Sequence, residues 1–448
     1  MQNSRTTLVL AALGLVLAAH APIASAQATD RVEVLDRVQA LEQELALLKR
    51  KLEVQEEATA AKGPSPVVGA GPDGFFLRSP DAKYQIRFRG YTQFDSRWFS
   101  QADDVSTTDS FYFRRVRPII DGTVAGFVDF RIMPDLANSS LVLQDAYANL
   151  RFAPGAQLQL GKYKSPFGLE RLESATAMWF IERAFPTVLG PNRDLGVMFH
   201  GSVREGLVQY QLAYLNGNND GTTTDTDVGD DKDFVGRLFF HPFQEAGIEA
   251  LQGLGIGFAT TYGHPQGAPG TVRSIGGQTL FQFQSGTTLV GERARYSPQA
   301  YWYWGPFALL SEYVHNSTKF ENAESKDRAQ SRAWQIAGAW VVTGENTSWR
   351  GVIPSKSFDL AAGDLGAFEL VARFSRLNLD GSLFRDSTYV NAALYPEDSK
   401  EWGVGLNWYL NRFIKVALNY EHTDFSNAGG NSDNPSEGVV LTRLQLAY

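Results

Sequence analysis

From Phe75 to the carboxy terminus, apolar and polar side chains alternate in segments of about ten residues. In the first of them Tyr84, Ile86, Phe88, Gly90, Thr92 and Phe94 fall on one face of an extended chain. Gln85, Arg87, Arg89, Tyr91, Gln93 and Asp95 fall on the other. A chain with that period is a strand with one face on an apolar medium and one on water. A single such strand fits a soluble sandwich as well as a membrane barrel. Repetition separates the two. Similar runs begin near Phe111, Val128, Leu141, Ala156, Leu195, Leu207, Asp233, Leu254, Arg293, Phe307, Ala333, Ala367, Glu401, Phe413 and Gly438, about sixteen with the first. Tight connections such as Arg204-Glu205-Gly206, Gly305-Pro306 and Asn411-Arg412 alternate with long polar ones such as Asn216 to Lys232, as short periplasmic turns alternate with long outer loops. The expected fold is an all-β transmembrane barrel of about 16 antiparallel strands, preceded by a short amino-terminal coiled-coil helix. Closure of the barrel leaves no strand edge unpaired in lipid. One connection departs from the rule: Thr343 to Gly366 falls on the short-turn side but is more than twenty residues long.

The segment before the strands divides into three. Arg5, the apolar run Leu8 to Ala19 and the small residues Ala24-Ser25-Ala26 predict a signal peptide over 1–26, with the mature chain starting at Gln27. The run is too short for a spanning helix, which needs about 20 residues. In 27–62, Val34, Val38, Leu41, Leu45, Leu48 and Leu52 recur at alternating steps of four and three among charged residues. Those are heptad positions, and such a seam is buried by other helices of its kind or against its own barrel. Gly, Pro and Ala then mark 63–74 as a linker before a barrel domain over 75–448. The mean hydropathy of -0.23 and the absence of a later long apolar stretch exclude a helical membrane protein. With no Cys, thiol catalysis and thiolate metal sites are excluded as well.

Twelve arginines lie between Arg78 and Arg193. Arginine holds a permanent charge and a planar fork that fits carboxylate or phosphate oxygens in pairs. Alternation turns Arg87, Arg89 and Arg131 inward, and Arg237 joins them as a ladder along the lumen. Adjacent Arg114 and Arg115 cannot both face inward from a regular strand, so one belongs to a bulge, an interface or a strand end. Charge on lipid costs about 2–4 kcal/mol at midplane. The expectation is therefore Arg115 and Arg117 inside, with Arg114 near a membrane interface. The long segment Ser165 to Arg193 holds Trp179, Phe180 and Phe185 between basic residues, which suits a loop folded into the lumen.

Several blocks carry a family resemblance: FYFRRVRPIIDG at 111–122, LQDAYANLRF at 143–152, QLGKYKSPFGLERL at 159–172, and TGENTSWRGVIPSKSFDL with FELVARFSRLNLD within 343–380. Together they resemble the phosphate-selective porin O and P family over most of the barrel. The resemblance implies a trimer of sixteen-stranded barrels whose arginines lead anions to a constriction. By motif position it implies constriction roles for Arg114 and Arg115, for Lys162 or Lys164, and for Arg171. The expected function is passive, anion-selective diffusion of phosphate or polyphosphate across the outer membrane, with the coiled-coil arm in the periplasm. Expected partners are small anions, outer-membrane lipid, two further copies and the barrel-assembly machinery, which reads an aromatic carboxy-terminal residue such as Tyr448. The alternatives are a general diffusion porin and a barrel-anchored structural tether. The net charge of -8 and the acidic stretch Asp220 to Asp233 weigh against phosphate. No cofactor, metal or nucleic-acid partner is expected. Nor is catalysis, since the histidines His200, His241, His264, His315 and His422 have no neighbouring nucleophile motif.

Overall fold

The computed structural model of the protein describes residues 27–61, 65–71, 74–102, 108–223, 225–227, 229–427 and 436–448. The expected signal peptide lies outside the described residues. The chain divides into two units, one up to Ser65 and one from Pro66 to Tyr448. In the first, Gln27–Ala61 form helix α1. The heptad leucines Leu41, Leu45, Leu48 and Leu52 are all exposed there.

The second unit is a closed antiparallel ring. A short hairpin of β1 (Val67–Gly71) and β2 (Gly74–Arg78) precedes it. The stretch expected to be a plain linker therefore includes a strand: β1 pairs with β2, and β2 pairs with the first barrel strand. The ring begins with β3 (Gln85–Ala102), β4 (Ser110–Val124), β5 (Val128–Asp135), β6 (Val142–Ala153), β7 (Ala156–Lys164), β8 (Arg193–Val203), β9 (Val208–Leu215), β10 (Asp233–Phe240) and β11 (Gly253–Gly263). Two short strands, β12 (Val272–Arg273) and β13 (Thr279–Phe281), form a hairpin within the next loop. The ring continues through β14 (Thr288–Trp304), β15 (Phe307–Glu321), β16 (Lys326–Val341), β17 (Ala367–Asn378), β18 (Pro396–Tyr409), β19 (Ile414–Asn427) and β20 (Ser436–Ala447). β20 returns to pair with β3 and closes the sixteen strands. At that seam Gly90 and Tyr448 exchange backbone hydrogen bonds, both of 2.9 Å.

Alternation explains both faces. Phe258, Tyr296, Ile336, Phe374, Trp402 and Leu418 lie exposed on the outside, and charged or amide side chains at the intervening positions point inward. No helix among the described residues is long and apolar enough to cross a membrane; the strands do so. The connection between β16 and β17, residues 342–366, leaves from the same end as the tight turns. That end is periplasmic, which agrees with the placement expected from the alternation.

Candidate functional site

The loop joining β7 to β8 runs inside the barrel because its own sequence is amphipathic. Phe167, Leu169, Phe180, Ile181 and Phe185 are no more than 2% exposed. They pack on inward side chains of the far wall, among them Leu310, Val314, Ala333, Val371 and Leu377. Burial of each such side chain contributes about 1.5–3 kcal/mol. Polar groups of the same wall then satisfy the loop backbone. Glu312 accepts from the amide of Leu169 at 2.5 Å and Asn419 from that of Ile181 at 2.8 Å. Asn407, Lys415 and Arg373 each donate at 2.9 Å, to the carbonyls of Trp179, Met178 and Glu182. Five side chains of the wall thus pair with backbone groups of the loop.

The loop's other face, with Arg171, Ser174, Thr176, Glu182 and Arg183, looks toward β3 to β8 across a cavity of about 1290 Å³. Residues 271–275 of the β12 hairpin loop and 349–353 of the long periplasmic connection also reach this space. Trp349 in that connection stacks near Tyr301, with ring centroids 5.2 Å apart. The long turn is therefore part of the pore.

A bulge settles the arginine pair. Register between β3 and β4 runs Gln93↔Arg115 and then Phe94↔Phe113, so Arg114 is the extra residue. Phe111 and Phe113 keep their outward positions, and both Arg114 and Arg115 line the cavity. The expectation that Arg114 sits near an interface is thus corrected. A regular strand would have forced that choice, and the extra residue removes it. Arg114 forms a two-armed contact with Glu182 of the loop, at 2.5 and 3.1 Å. Burial opposes ionisation of Glu182. Arg114, with Arg115 and Arg443, outweighs that cost and holds the carboxyl well below its ordinary range.

Other expected residues divide by geometry. Lys164 and Arg171 line the cavity, donating to the carbonyls of Glu173 at 2.7 Å and Thr187 at 2.8 Å. Lys162 does not line it: it is 1% exposed and bonded to Asp225 and to the carbonyl of Thr223. Arg89 and Arg131 line the cavity, and with Arg87 they converge on Asp121. Arg237 faces inward but is packed under the filled half of the barrel. It lies 4.5 Å over the Phe239 ring and donates to Gln211 and Gln299. It is not among the residues that line the cavity.

Sequence reasoning counted Arg183 and Arg193 among the arginines without assigning them a role. Both line the cavity. Their place at the close of an aromatic-rich loop was the available signal.

Twelve of the residues lining the cavity are basic and four are acidic, in a chain of net charge -8. Ion pairs use some of this charge: Arg117 with Asp135 at 2.7 Å and Arg193 with Asp145 at 2.8 Å. Among the described residues, Arg115, Lys164, Arg171 and Arg183 have no carboxylate oxygen within 4.0 Å. Their donors go to Gln93 and to loop carbonyls. Glu173, beneath Lys164 and Arg183, is pushed up to about 8 by burial and by neighbouring Glu170, so it is neutral at pH 7.

Residues 85–448 match the profile of the family described as phosphate-selective porin O and P. The chain belongs to that porin family. Porin O of Pseudomonas aeruginosa is 23% identical to this porin over 415 residues, 84% of this chain and 91% of that one. An uncharacterized protein of Aquifex aeolicus is 26% identical over 199 residues, 37% of this chain and 47% of that one. Among solved structures, the outer membrane channel DcaP of Acinetobacter baumannii shares the fold with a TM-score of 0.54 at 13% identity, over 84% of this chain and all of that one. An anion-selective porin from Comamonas acidovorans gives 0.50 at 10% identity, over 81% and 99%. This porin is accordingly a protein of the outer membrane.

Proposed function

We infer that this porin conducts small anions and holds phosphate-like oxyanions briefly where Arg115, Lys164, Arg171 and Arg183 meet in the cavity. The observation that carries this reading is the reversal of sign between the chain and its cavity, acidic overall but lined by twelve bases and four acids. Charges at a narrow, partly desolvated site act more strongly than screened charges at a loop tip. Their donor geometry also fits. The four cations are held by neutral carbonyl and amide oxygens, so an arriving anion meets no carboxylate competing at those positions. Arg87, Arg89 and Arg131 would receive it on the periplasmic side, with Asp121 lowering their hold.

In this reading residues 1–26 export the chain, and the β20 strand ending in Tyr448 is read by the barrel-assembly machinery. The exposed heptad leucines of α1 support a homotrimer joined by a periplasmic coiled coil. Reversal potential under a KCl gradient tests the selectivity, and the expected sign is that of chloride. Phosphate should block the chloride current saturably. A linear conductance without such block would leave a general diffusion porin as the function.

A further inference from the structure

The outer face of β15 to β18 changes character at its extracellular end. Tyr313, Trp334, Phe374 and Trp402 point outward on these four strands, where aromatic rings mark the level at which acyl chains meet headgroups. Two to eight residues further out, on the same outward parity, stand Lys319, Lys326, Arg328, Arg332, Arg376 and Lys400. This plane is therefore the headgroup layer of the outer leaflet.

Two features separate the patch from an ordinary charged rim. First, the register sets like charges opposite each other: Lys319 faces Arg328, and Arg376 faces Lys400. Directly opposed like charges destabilise a sheet unless something neutralises them. Second, among the described residues carboxylates are fewer than bases around Lys319, Arg328 and Arg332. Glu292 is shared by Lys319 at 3.3 Å and Arg328 at 2.7 Å, and Asp398 by Arg376 at 2.7 Å and Lys400 at 3.8 Å. Lys326 has Glu321 at 3.2 Å. Arg332 has only the amide oxygen of Asn378, at 3.1 Å. Among the described residues the Lys319–Arg328 pair shares one carboxylate and Arg332 donates to an amide oxygen, whereas Lys400 also has Asp424 opposite it on β19.

We propose that this belt is a binding site for a phosphorylated glycolipid of the outer leaflet, with phosphate groups on Arg328, Arg332 and Arg376 and acyl chains against the aromatic row below. A free anion would have no use for that row. A lipid needs both layers, and basic residues next to a membrane favour anionic headgroups. The site rests on the orientation of the barrel in the outer membrane. It is independent of anion selectivity in the lumen, because none of its residues lines the cavity.

Native mass spectrometry of the purified full-length protein in neutral detergent tests it. The probes are bisphosphorylated lipid A, the same lipid with both phosphates removed, and inorganic phosphate. The expected result is retention of the bisphosphorylated form, loss of retention on dephosphorylation, and no displacement by millimolar phosphate. The combined change R328Q, R332Q and R376Q should weaken retention about tenfold or more while leaving conductance and reversal potential unchanged. If that variant does not assemble, K319Q with K400Q relieves the opposed pairs and should weaken retention as well. Equal retention of both lipids, equal retention by wild type and an assembled variant, or displacement by inorganic phosphate would each overturn the proposal.

Discussion

The wall from β3 to β8 and the wall from β15 to β19 share one alternation, yet the first faces open space and the second faces protein. The open wall carries Arg89, Arg114, Arg115, Arg117, Arg131 and Arg193. The covered wall carries Glu312, Glu369, Glu401 and Glu421 with Arg373 and Lys415. The inward loop lies between them as a partition. Its backbone amides and carbonyls occupy the polar groups of the acidic side, and its own arginines join the basic side. A chain with excess acid thereby presents an excess of base to a solute. Where charges are placed decides more than how many there are.

The comparison breaks most sharply at Arg373, which ties the loop to the covered wall. It contacts Glu401 at 3.2 Å, Glu421 at 2.9 Å, the Glu182 carbonyl at 2.9 Å and the Phe180 ring at 4.2 Å. Arg373→Gln strips both glutamates of their cation, a loss of about 3–5 kcal/mol for a buried pair. A lower unfolding temperature in detergent and a larger, noisier single-channel conductance are expected. Unchanged conductance would show that the loop holds its place without this tie. On the open wall, Arg115→Ala should lower the anion-to-cation permeability ratio about tenfold, equivalent to about 1.4 kcal/mol, with stability nearly intact. Reversal potentials at high salt measure it.

A smaller effect is expected from Glu173. Neutral at pH 7 and ionised as pH rises past about 8, it adds a negative charge beneath Lys164 and Arg183. Anion preference should decline by a few fold from about pH 7 to pH 9, and Glu173→Gln should flatten the profile. The smallest effect belongs to the outer loop. Changing Asp225, Asp227 and Asp230 together to Asn should barely alter selectivity at high salt. A modest rise in anion preference is expected near 0.01 M salt, where the Debye length reaches about 30 Å. A larger shift from this variant than from Arg115→Ala would reverse the ranking of the two regions.

Strand positions were legible wherever an apolar outer face met lipid. β5, β7, β10, β15 and β17 begin at the residues where alternation begins. β16 begins at Lys326, well before the apparent start near Ala333, because Lys326, Arg328, Gln330 and Arg332 are polar on the outside as well. Period two in hydropathy vanishes there although the backbone continues. Of the site, Arg114, Arg115 and Arg171 were legible from motif position, a lysine only as one of Lys162 and Lys164, and the inward loop from its aromatics. A bulge was one of three alternatives for the Arg114–Arg115 pair, and the choice among them was not legible. Whether one extra residue turns a side chain inward depends on the partner strand, and β3 lies in a different stretch of sequence. That Arg237 lies off the cavity was hidden for a related reason: alternation reports which way a side chain points but not what lies in front of it.

The seam between β3 and β20 has a consequence for how the molecule is made. The strand that closes the ring follows the other fifteen along the chain, and Tyr448 just beyond it bonds to Gly90 in the first barrel strand. Until β20 arrives, β3 keeps a bare edge from Tyr91 to Ala102 that lipid cannot satisfy. A chain cut short by even one strand therefore cannot pass for a finished one.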